Sequence, residues 1–290
     1  MDHYGDPAKT STGLLHWPTD FSRDIQPLAC HSHNDYWRKV PLYSALQAGC
    51  IGVEADVWLV EDDLYVGHST SSLTSNRTFK NLYINPLLDI LAKQNPTTKF
   101  HPHPTSPPNG VFDTDPAQTL ILLIDFKTDG PLLWPHVVSQ LSPLRQANLL
   151  TFYNGTTLTS RPITAVATGN APFDLLTSNS THRDIFFDAP IDRIDPQSPY
   201  NATNSYYASA SLFSALGTIW SEPSSSQLAT MRAQIAAAHA QGLKARYWET
   251  PAWPRGLRDH LWNALVKAGV DVLNVDDLQA ATQGTWGKWG

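Results

Sequence analysis

The sequence has only two cysteines among its 290 residues, Cys30 and Cys50. Two thiols are too few for a disulfide framework, and they cannot form a zinc site by themselves. Two alternatives stay open from the sequence: the cysteines form one disulfide in an oxidising compartment, or they are two buried thiols.

Charged residues are also scarce, at 16% of the chain, and lysine and arginine do not form runs. With a net charge of −6, the chain lacks the basic footprint of a nucleic-acid-binding protein, so no nucleic-acid partner is expected. No run of 18 apolar residues is present, so at most peripheral membrane contact is expected. Apolar residues still make up 41% of the chain, which is enough for a sizeable core.

Several common functional motifs are missing. The chain contains no phosphate-binding P-loop, no G-x-S-x-G nucleophile elbow and no H-E-x-x-H helix. The first residues, "MDHYGDPAKTSTG", do not form a signal peptide. Four N-glycosylation sequons nevertheless exceed the roughly two that chance gives, so a secreted or extracellular protein is expected; they begin at Asn76, Asn154, Asn179 and Asn201.

Short apolar runs alternate with helical patterns along the chain, which predicts βαβ units and a parallel sheet. Seven strands are predicted within the stretches "IQPLACH", "CIGVEADVWL", "QTLILLIDFKT", "RPITAVATGN", "HRDIFFDAP", "LKARYWET" and "VDVLNVDD". A further, irregular strand is placed in "ASLFSALGTIW", which makes eight strands and predicts a single (β/α)8 TIM barrel, with a doubly wound open sheet as the alternative.

The barrel is predicted to occupy residues 25–280, with an N-terminal extension over 1–24 and a C-terminal tail over 281–290. Residues 99–118 are rich in proline and lack periodicity, so they are interpreted as a surface insertion before the third barrel strand. A turn at residues 61–63 and a short returning strand are expected after the second one. Nothing in the chain predicts an oligomer, and a monomer is expected.

Carboxylates stand at the C-terminal ends of two predicted strands, where barrel enzymes carry their active sites. Glu54 and Asp56 are two residues apart and therefore face the same side of one strand, and Asp125 ends the next strand. Like charges this close are costly unless a cation bridges them. Oxygen ligands suit a hard divalent ion, so Mg²⁺ is predicted, with Ca²⁺ or Mn²⁺ as alternatives.

Two histidines are predicted to flank this metal site. His31 closes the first strand, and His68 follows the second. Imidazoles can carry protons in both directions near neutral pH, as cleavage of a phosphodiester requires. Lys127 would stabilise negative charge on the phosphoryl oxygens. Aromatic residues are expected to line the mouth of the site, namely Trp37, Trp58, Trp248 and Trp253.

Together these motifs resemble the phospholipase C-like phosphodiesterase superfamily, which includes glycerophosphodiester phosphodiesterases and sphingomyelinase D-type phospholipases. The resemblance rests on "HSHN", "VEADV", "GH", "LIDFKT", "RYWET" and "DVLNVDD" in this order. The stretch "HSHNDYWR" is most similar to the corresponding motif of a fungal branch named for altered inheritance of mitochondria protein 6.

The resemblance implies a (β/α)8 barrel, the metal ligands Glu54, Asp56 and Asp125, and the acid–base pair His31 and His68. It implies a phospholipid or glycerophosphodiester-type substrate, cleaved by hydrolysis or by internal transfer to a cyclic phosphate. Substrate contacts are expected from His33, Asn34, Lys127, Tyr247, Trp248 and Asn274. Ser32 and Ser69 stand where glycerophosphodiesterases carry Arg and Asp, so the headgroup stays open.

Two other functions compete with this interpretation. The His-x-His pattern at the first strand is shared with amidohydrolases and related phosphoesterases that bind several transition metals, but those enzymes need further histidines at later strand ends. The strand ends of this chain offer Asp125, Asp188, Glu249 and Asn274 instead. The other alternative is a non-catalytic barrel that binds a phosphate-bearing headgroup.

Overall fold

The structure, a computed structural model, describes residues 21–284. Of the predicted N-terminal extension, residues 1–20 lie outside the described residues, and so do residues 285–290 of the predicted tail. The proposed boundaries at 24 and 280 therefore stay predictions.

The described strands are, in chain order, β1 (Leu28–Ser32), β2 (Cys50–Val60), β3 (Asp63–Val66), β4 (Leu120–Phe126), β5 (Phe152–Tyr153), β6 (Leu158–Thr159), β7 (Ile163–Gly169), β8 (Ile185–Pro190), β9 (Ser205–Ser211), β10 (Lys244–Trp248) and β11 (Val272–Val275). Eight of them form a parallel sheet in the order β1-β11-β10-β9-β8-β7-β4-β2. Pairing of β1 with β2 closes the sheet, so the predicted barrel is confirmed and the open sheet is not. The short β3 returns antiparallel to β2, as expected.

The described α-helices are α1 (Tyr43–Gln47), α2 (Asn85–Gln94), α3 (Gly130–Gln140), α4 (Ser142–Gln146), α5 (Phe173–Thr177), α6 (Leu212–Leu216), α7 (Ser225–Ala240), α8 (Arg255–Ala268) and α9 (Leu278–Gln283). Shorter 3₁₀ turns cover Asp35–Trp37, Thr70–Ser72 and Ile191–Arg193, and a π-helical turn covers Lys80–Ile84. None of these helices combines the length and apolarity needed to cross a bilayer.

The helical pattern over residues 131–146 is divided into two helices. The first helix, α3, ends at Gln140, and α4 begins at Ser142 with Pro143 in its first turn. Proline has no backbone N–H and is tolerated in a first turn, where that donor has no intrahelical partner. The divided helix still returns the chain from β4 to β7.

The prediction for the sixth barrel strand is wrong in position. The strand is β9, with the sequence "SYYASAS", whereas most of the predicted stretch forms α6 and the loop after it. Ser211 ends β9 and caps α6, because its hydroxyl accepts a hydrogen bond from the backbone N–H of Ser214 at 3.2 Å. The inward side chains of β9 are largely small and polar, which is why an apolar pattern does not reveal it.

Alternation along β2 decides which side chains face the inside of the barrel. Val53, Ala55 and Val57 belong to the large core between the strands and the helices. Glu54 and Asp56 therefore face the barrel interior. A second, smaller apolar cluster fills the interior further down, consisting of Ile121, Leu123, Val166, Tyr207 and Val272.

The two cysteines are joined by a disulfide between β1 and β2. Both residues are buried, and they belong to the core on the helix side of the sheet. The structure thus has one disulfide in place of two free thiols. His31 follows Cys30 directly and has the opposite orientation, toward the barrel interior.

Candidate active site

Three carboxylates meet at the C-terminal end of the barrel. Asp56 of β2 is the register partner of Asp125 of β4, and Glu54 lies one inward position earlier on β2. One oxygen from each of the three carboxylates lies within 4.8 Å of the other two. Asp56 is almost completely buried, and Glu54 is buried as well. The convergence predicted from the sequence is therefore present in the fold.

The donor set fits a divalent cation. The Oδ1 atom of Asp56 is buried and has no hydrogen-bond partner. A buried carboxylate oxygen without a partner is costly unless a ligand completes its environment. All three donors are oxygens, which favours Mg²⁺, Ca²⁺ or Mn²⁺ over softer ions. Among the described residues, this is the one group of three or more potential metal ligands.

Lys127 lies beside this cluster. Its Nζ donates to Oδ2 of Asp125 at 2.5 Å and to Oδ2 of Asp56 at 2.9 Å. Burial lowers the pKa of Lys127, but the carboxylates of Asp125 and Asp56 outweigh burial and raise it to about 12. Lys127 therefore carries a positive charge at the site throughout the physiological pH range.

The carboxyl of Asp56 is difficult to ionise. Burial, followed by the negative charges of Glu54 and Asp125, raises the pKa of Asp56 to about 7, although Lys127 opposes the shift. The cause is an excess of negative charge in a place with little solvent. A bound divalent cation would reverse this effect, because it favours the ionised form.

His33 lies on one side of the cluster. Its Nε2 is 3.8 Å from Oε2 of Glu54, and its Nδ1 is 2.8 Å from Oδ1 of Asp276. Burial lowers the pKa of His33, but the hydrogen bond with Asp276 and the charges of Glu54 and Asp276 give a net increase. The ring is partly open to solvent, with 22% of the side chain exposed.

Asn34 follows His33 and fixes the local backbone. It adopts a left-handed conformation, with φ at 48°, which asparagine tolerates better than most residues. Its backbone N–H donates to Oε2 of Glu54 at 2.8 Å. Asn34 therefore orients a proposed metal ligand through its main chain.

His68 lies near Asp56. Its Nδ1 is 3.8 Å from Oδ2 of Asp56, and 56% of its side chain is exposed. The indole of Trp37 packs against the imidazole, with 4.9 Å between ring centroids. His33 and His68 thus reach the carboxylates from the sides of Glu54 and Asp56, respectively.

The sequence analysis did not identify Tyr36, which connects these groups. Its hydroxyl is 2.8 Å from Oδ2 of Asp56 and 3.2 Å from Nδ1 of His68, and it also contacts Oδ1 of Asn34. The side chain is buried, and burial together with the charge of Asp56 raises its pKa, so the hydroxyl stays protonated. The sequence feature that could have identified Tyr36 is its place in the stretch "HNDYW", close to His33 and Asn34.

His31 occupies a different position from the one expected. Its side chain is completely buried inside the barrel, 3.3 Å from the hydroxyl of Tyr207 and packed edge-on against that ring. A Cβ on Gly52 would lie 2.1 Å from its Nδ1, so the glycine makes room for the imidazole. Burial, and then the charges of Arg246 and His33, lower the pKa of His31 well below its usual value.

Arg246 occupies the wall of the barrel formed by β8–β11, and the sequence analysis missed it. Its guanidinium donates to Oγ of Ser209 at 3.0 Å, Oδ1 of Asn274 at 2.8 Å and Oδ2 of Asp188 at 3.2 Å. Asn274, expected to contact substrate, is buried with Arg246 in this network. The network includes one unpartnered atom, Oδ1 of Asp188.

The expectation that Tyr247 contacts substrate is wrong. Tyr247 faces the helices, where its hydroxyl donates to Oε1 of Gln234 in α7 at 2.8 Å and its ring lies in the outer core. Successive residues of a strand alternate between the two faces, so Arg246 and Trp248 face inward instead. This alternation is the sequence feature that could have predicted Arg246 as the residue facing the barrel interior. Trp248 ends β10 with its side chain exposed at the mouth.

The arrangement provides the groups that phosphodiester cleavage needs. It combines a set of oxygen ligands for a cation, a lysine beside that set and two imidazoles, one near Glu54 and the other near Asp56. Such groups can stabilise charge on a phosphoryl group and move protons to and from its oxygens.

Comparison with known families matches more than half of the chain to one described domain family. The family described as the AIM6-like phosphodiesterase domain matches residues 19–188, which include the three carboxylates, Lys127 and the histidines at the site. A protein of Arthroderma benhamiae, named altered inheritance of mitochondria protein 6 homolog, is 45% identical over 279 residues, covering 92% of this chain and 87% of that protein.

Two further relatives are less similar in sequence. Altered inheritance of mitochondria protein 6 of Eremothecium gossypii is 36% identical, covering 96% of this chain and 73% of the relative. The protein of the same name from Saccharomyces cerevisiae is 31% identical, covering 90% and 72%, respectively.

Among solved structures, a glycerophosphodiester phosphodiesterase from Parabacteroides distasonis has a TM-score of 0.46 and 12% identity, covering 89% of this chain and 96% of that chain. Phosphatidylinositol-specific phospholipase C from Listeria monocytogenes has a TM-score of 0.44 and 13% identity, covering 90% and 92%, respectively.

Proposed function

Because this chain belongs to the family of the AIM6-like phosphodiesterase domain, we infer that it is a metal-dependent phosphodiesterase. The observation that carries the proposal is the convergence of Glu54, Asp56 and Asp125 within 4.8 Å, with a buried, unpartnered oxygen on Asp56. These three residues would hold Mg²⁺, with Ca²⁺ or Mn²⁺ as alternatives. When bound, the ion would neutralise charge on the phosphoryl oxygens.

Lys127 supplies a second positive charge for the same oxygens. Its ammonium already bridges Asp56 and Asp125, so it lies next to the position where a phosphoryl group would be bound. A fixed charge in a partly buried site stabilises developing negative charge better than a solvated one does. We propose that Lys127 has this role.

We propose His33 and His68 as the acid–base pair, with His33 taking the role first expected of His31. Both rings are partly exposed, and each lies 3.8 Å from a carboxylate of the cluster. His31 is enclosed in the barrel, so a substrate oxygen would have to enter the packed interior to reach it. One imidazole of the pair would take the proton of the attacking oxygen, and the other would protonate the leaving oxygen.

The proposed substrate is a phospholipid or a glycerophosphodiester. Attack by a hydroxyl of the substrate itself would give a cyclic phosphate, and attack by water would give a phosphomonoester. Trp37, beside His68, and Trp248, at the mouth, are placed where they can contact the part of the substrate beyond the phosphate.

Phosphorus NMR tests this proposal directly. The purified protein is incubated with Mg²⁺ and a mixture of lysophospholipids and glycerophosphodiesters, and the chemical shifts distinguish a cyclic phosphate from a phosphomonoester. Turnover that disappears in Glu54→Gln is the expected result. Headgroup binding without turnover would favour the non-catalytic barrel, and two tightly bound transition metals per chain would favour the amidohydrolase alternative.

We also propose that the protein functions in an oxidising or extracellular compartment. The Cys30–Cys50 disulfide supports this location, because disulfides persist in such compartments. Three of the four sequon asparagines, Asn76, Asn154 and Asn179, are exposed. Glycosidase treatment of the protein secreted by its native host, followed by mass spectrometry, tests the location.

A further inference from the structure

Exposed apolar side chains are concentrated at the end of the barrel that carries the proposed active site. Among the described residues, all but two of the large exposed apolar side chains follow the C-terminal end of a barrel strand. They end the strand, lie in the segment after it, lie in the first turn of the next helix or, for Trp220, lie in the segment between α6 and α7. This group consists of Trp37, Val40, Val60, Leu132, Leu175, Phe213, Trp220, Trp248 and Trp253. The two exceptions, Phe100 and Leu158, lie in segments that lead into the N-terminal ends of β4 and β7.

Within this group, Trp37, Phe213, Trp220, Trp248 and Trp253 form what we call the mouth aromatics. Trp220 is 88% exposed and Trp253 is 79% exposed, so packing within the chain does not account for either side chain. A concentration of large apolar side chains on one face of a protein marks a surface that contacts something else. Tryptophan is favoured at boundaries between water and an apolar phase, because its ring is apolar and its N–H is polar.

The position of these residues restricts what can cover them. Trp37 packs against His68, and Trp248 ends the strand whose Arg246 lines the barrel interior. A second copy of this chain or another globular protein seated on this face would close the mouth of the site. A surface that carries the substrate would instead bring the substrate to the mouth. This argument rests on the proposed phosphodiesterase function.

The charged residues on this face indicate which kind of lipid surface it can contact. The same segments expose acidic residues, including Asp62, Asp192, Glu222 and Glu249, alongside Lys39 and Arg255. They do not form the basic cluster that would recognise anionic lipids. The contact must therefore depend on apolar burial rather than on charge.

We propose that the C-terminal face of the barrel docks on the surface of a zwitterionic phospholipid bilayer through the mouth aromatics, and that the substrate is a lipid phosphodiester taken from that surface. Burial of one aromatic side chain in the interface contributes enough to change binding several-fold. These side chains come from the segments that follow β1, β9 and β10 and from the end of β10 itself. Their joint burial orients the barrel with its C-terminal end facing the membrane.

Cosedimentation with phosphatidylcholine vesicles tests the proposal without relying on turnover. We expect the wild-type protein to bind, and the double variant Phe213→Ala/Trp220→Ala to bind at least about tenfold more weakly. Phe100→Ala is the matched control, because Phe100 is 85% exposed but lies at the other end of the barrel. Vesicle binding should change little when the salt concentration is raised tenfold, and added phosphatidylserine should not strengthen it.

Two further measurements separate this proposal from the proposed function. Glu54→Gln should still bind vesicles, and Phe213→Ala/Trp220→Ala should still cleave a soluble glycerophosphodiester at the wild-type rate. The docking proposal is overturned if the wild-type protein does not bind vesicles, or if Phe100→Ala weakens binding as much as the double variant does. It is also overturned if sedimentation equilibrium reveals a dimer that the double variant dissociates, because a second copy would then cover this face.

Discussion

Asp56 and Asp125 are register partners on the adjacent parallel strands β2 and β4, and Lys127 joins their carboxylates through Nζ. With Glu54 they form a site in which one lysine faces three carboxylates. If all three are ionised, two negative charges remain, and a divalent cation would neutralise them. The raised pKa of Asp56 is the expected result of this excess charge in a buried place.

Removing one carboxylate should remove metal binding and preserve the fold. We expect Glu54→Gln and Asp56→Asn to bind Mg²⁺ or Mn²⁺ at least about a hundredfold more weakly in isothermal titration calorimetry, because each loses a charged ligand. Melting temperatures should not fall, because each substitution relieves repulsion between like charges. Asp62→Asn, at an exposed turn after β2, is the control and should bind as the wild type does. Unchanged affinity in both site variants would exclude this cluster as the metal site.

Replacing His33 and His31 one at a time should distinguish a residue needed for turnover from a residue needed for stability. His33→Ala should lose about 10²–10⁴-fold in turnover, because it removes a proton carrier at a partly exposed position. Its free energy of unfolding should change little when it is measured above the folded-state pKa of His33, where the raised pKa no longer contributes to stability. His31→Ala should lower the free energy of unfolding by about 1–3 kcal/mol, because it removes a ring from the packed barrel interior. Urea unfolding and steady-state kinetics measure the two effects. Full turnover in His33→Ala would return the acid–base role to His31.

The hydrogen bond between His33 and Asp276 should keep the pKa of His33 raised. Asp276→Asn should lower that pKa, because it removes both the hydrogen bond and a negative charge that favour the imidazolium. NMR titration of the histidine ring protons measures the change. Asp277→Asn is the matched control, since Asp277 binds Arg258 and caps α9 instead. The pair stabilises the fold below the unfolded-state pKa of about 6.5, and this contribution is lost as the pH rises through the folded-state pKa.

The buried carboxyl of Asp35 should make the free energy of unfolding depend on pH. Asp35 accepts hydrogen bonds from Oγ of Ser32, the backbone N–H of Leu42 and the hydroxyl of Tyr83, at 2.8 Å, 2.6 Å and 3.1 Å. Burial raises its pKa in spite of these bonds. A raised carboxyl pKa stabilises the fold below the unfolded-state value of about 3.9, and this contribution is lost as the pH rises through the folded-state pKa.

Asp35→Asn should lose this dependence. The variant should be less stable by about 1–3 kcal/mol at pH 4, because an amide nitrogen cannot accept a donor's hydrogen bond. The difference from the wild type should then decrease as the pH rises. Urea unfolding of both proteins at several pH values measures it, and a constant difference across the range would contradict the assigned pKa shift.

The sequence was informative where physical patterns are local. Glu54 and Asp56 could be assigned to one face of a strand, because side chains alternate along an extended chain whatever surrounds it. The same rule would have separated Arg246 from Tyr247.

Other features could not be obtained from local patterns. The position of β9 was missed because its inward residues are small and polar, so that the strand depends on pairing with β8 and β10 rather than on its own hydrophobicity. The choice between His31 and His33 was also inaccessible. His31 lies three residues before Asn34 and His33 directly before it, and only the end of β1 at Ser32 determines which of them leaves the barrel interior.

The sequence by itself determined the barrel, the carboxylate pair on β2 and the carboxylate with its lysine on β4, because hydrophobic periodicity and the order of motifs are properties of the chain alone. The tertiary structure decided which side chains meet. Pairing of β11 with β1 places Asp276 against His33, and pairing of β11 with β10 places Asn274 beside Arg246. These contacts join residues far apart in the chain, and their distances depend on how eight strands close around one interior.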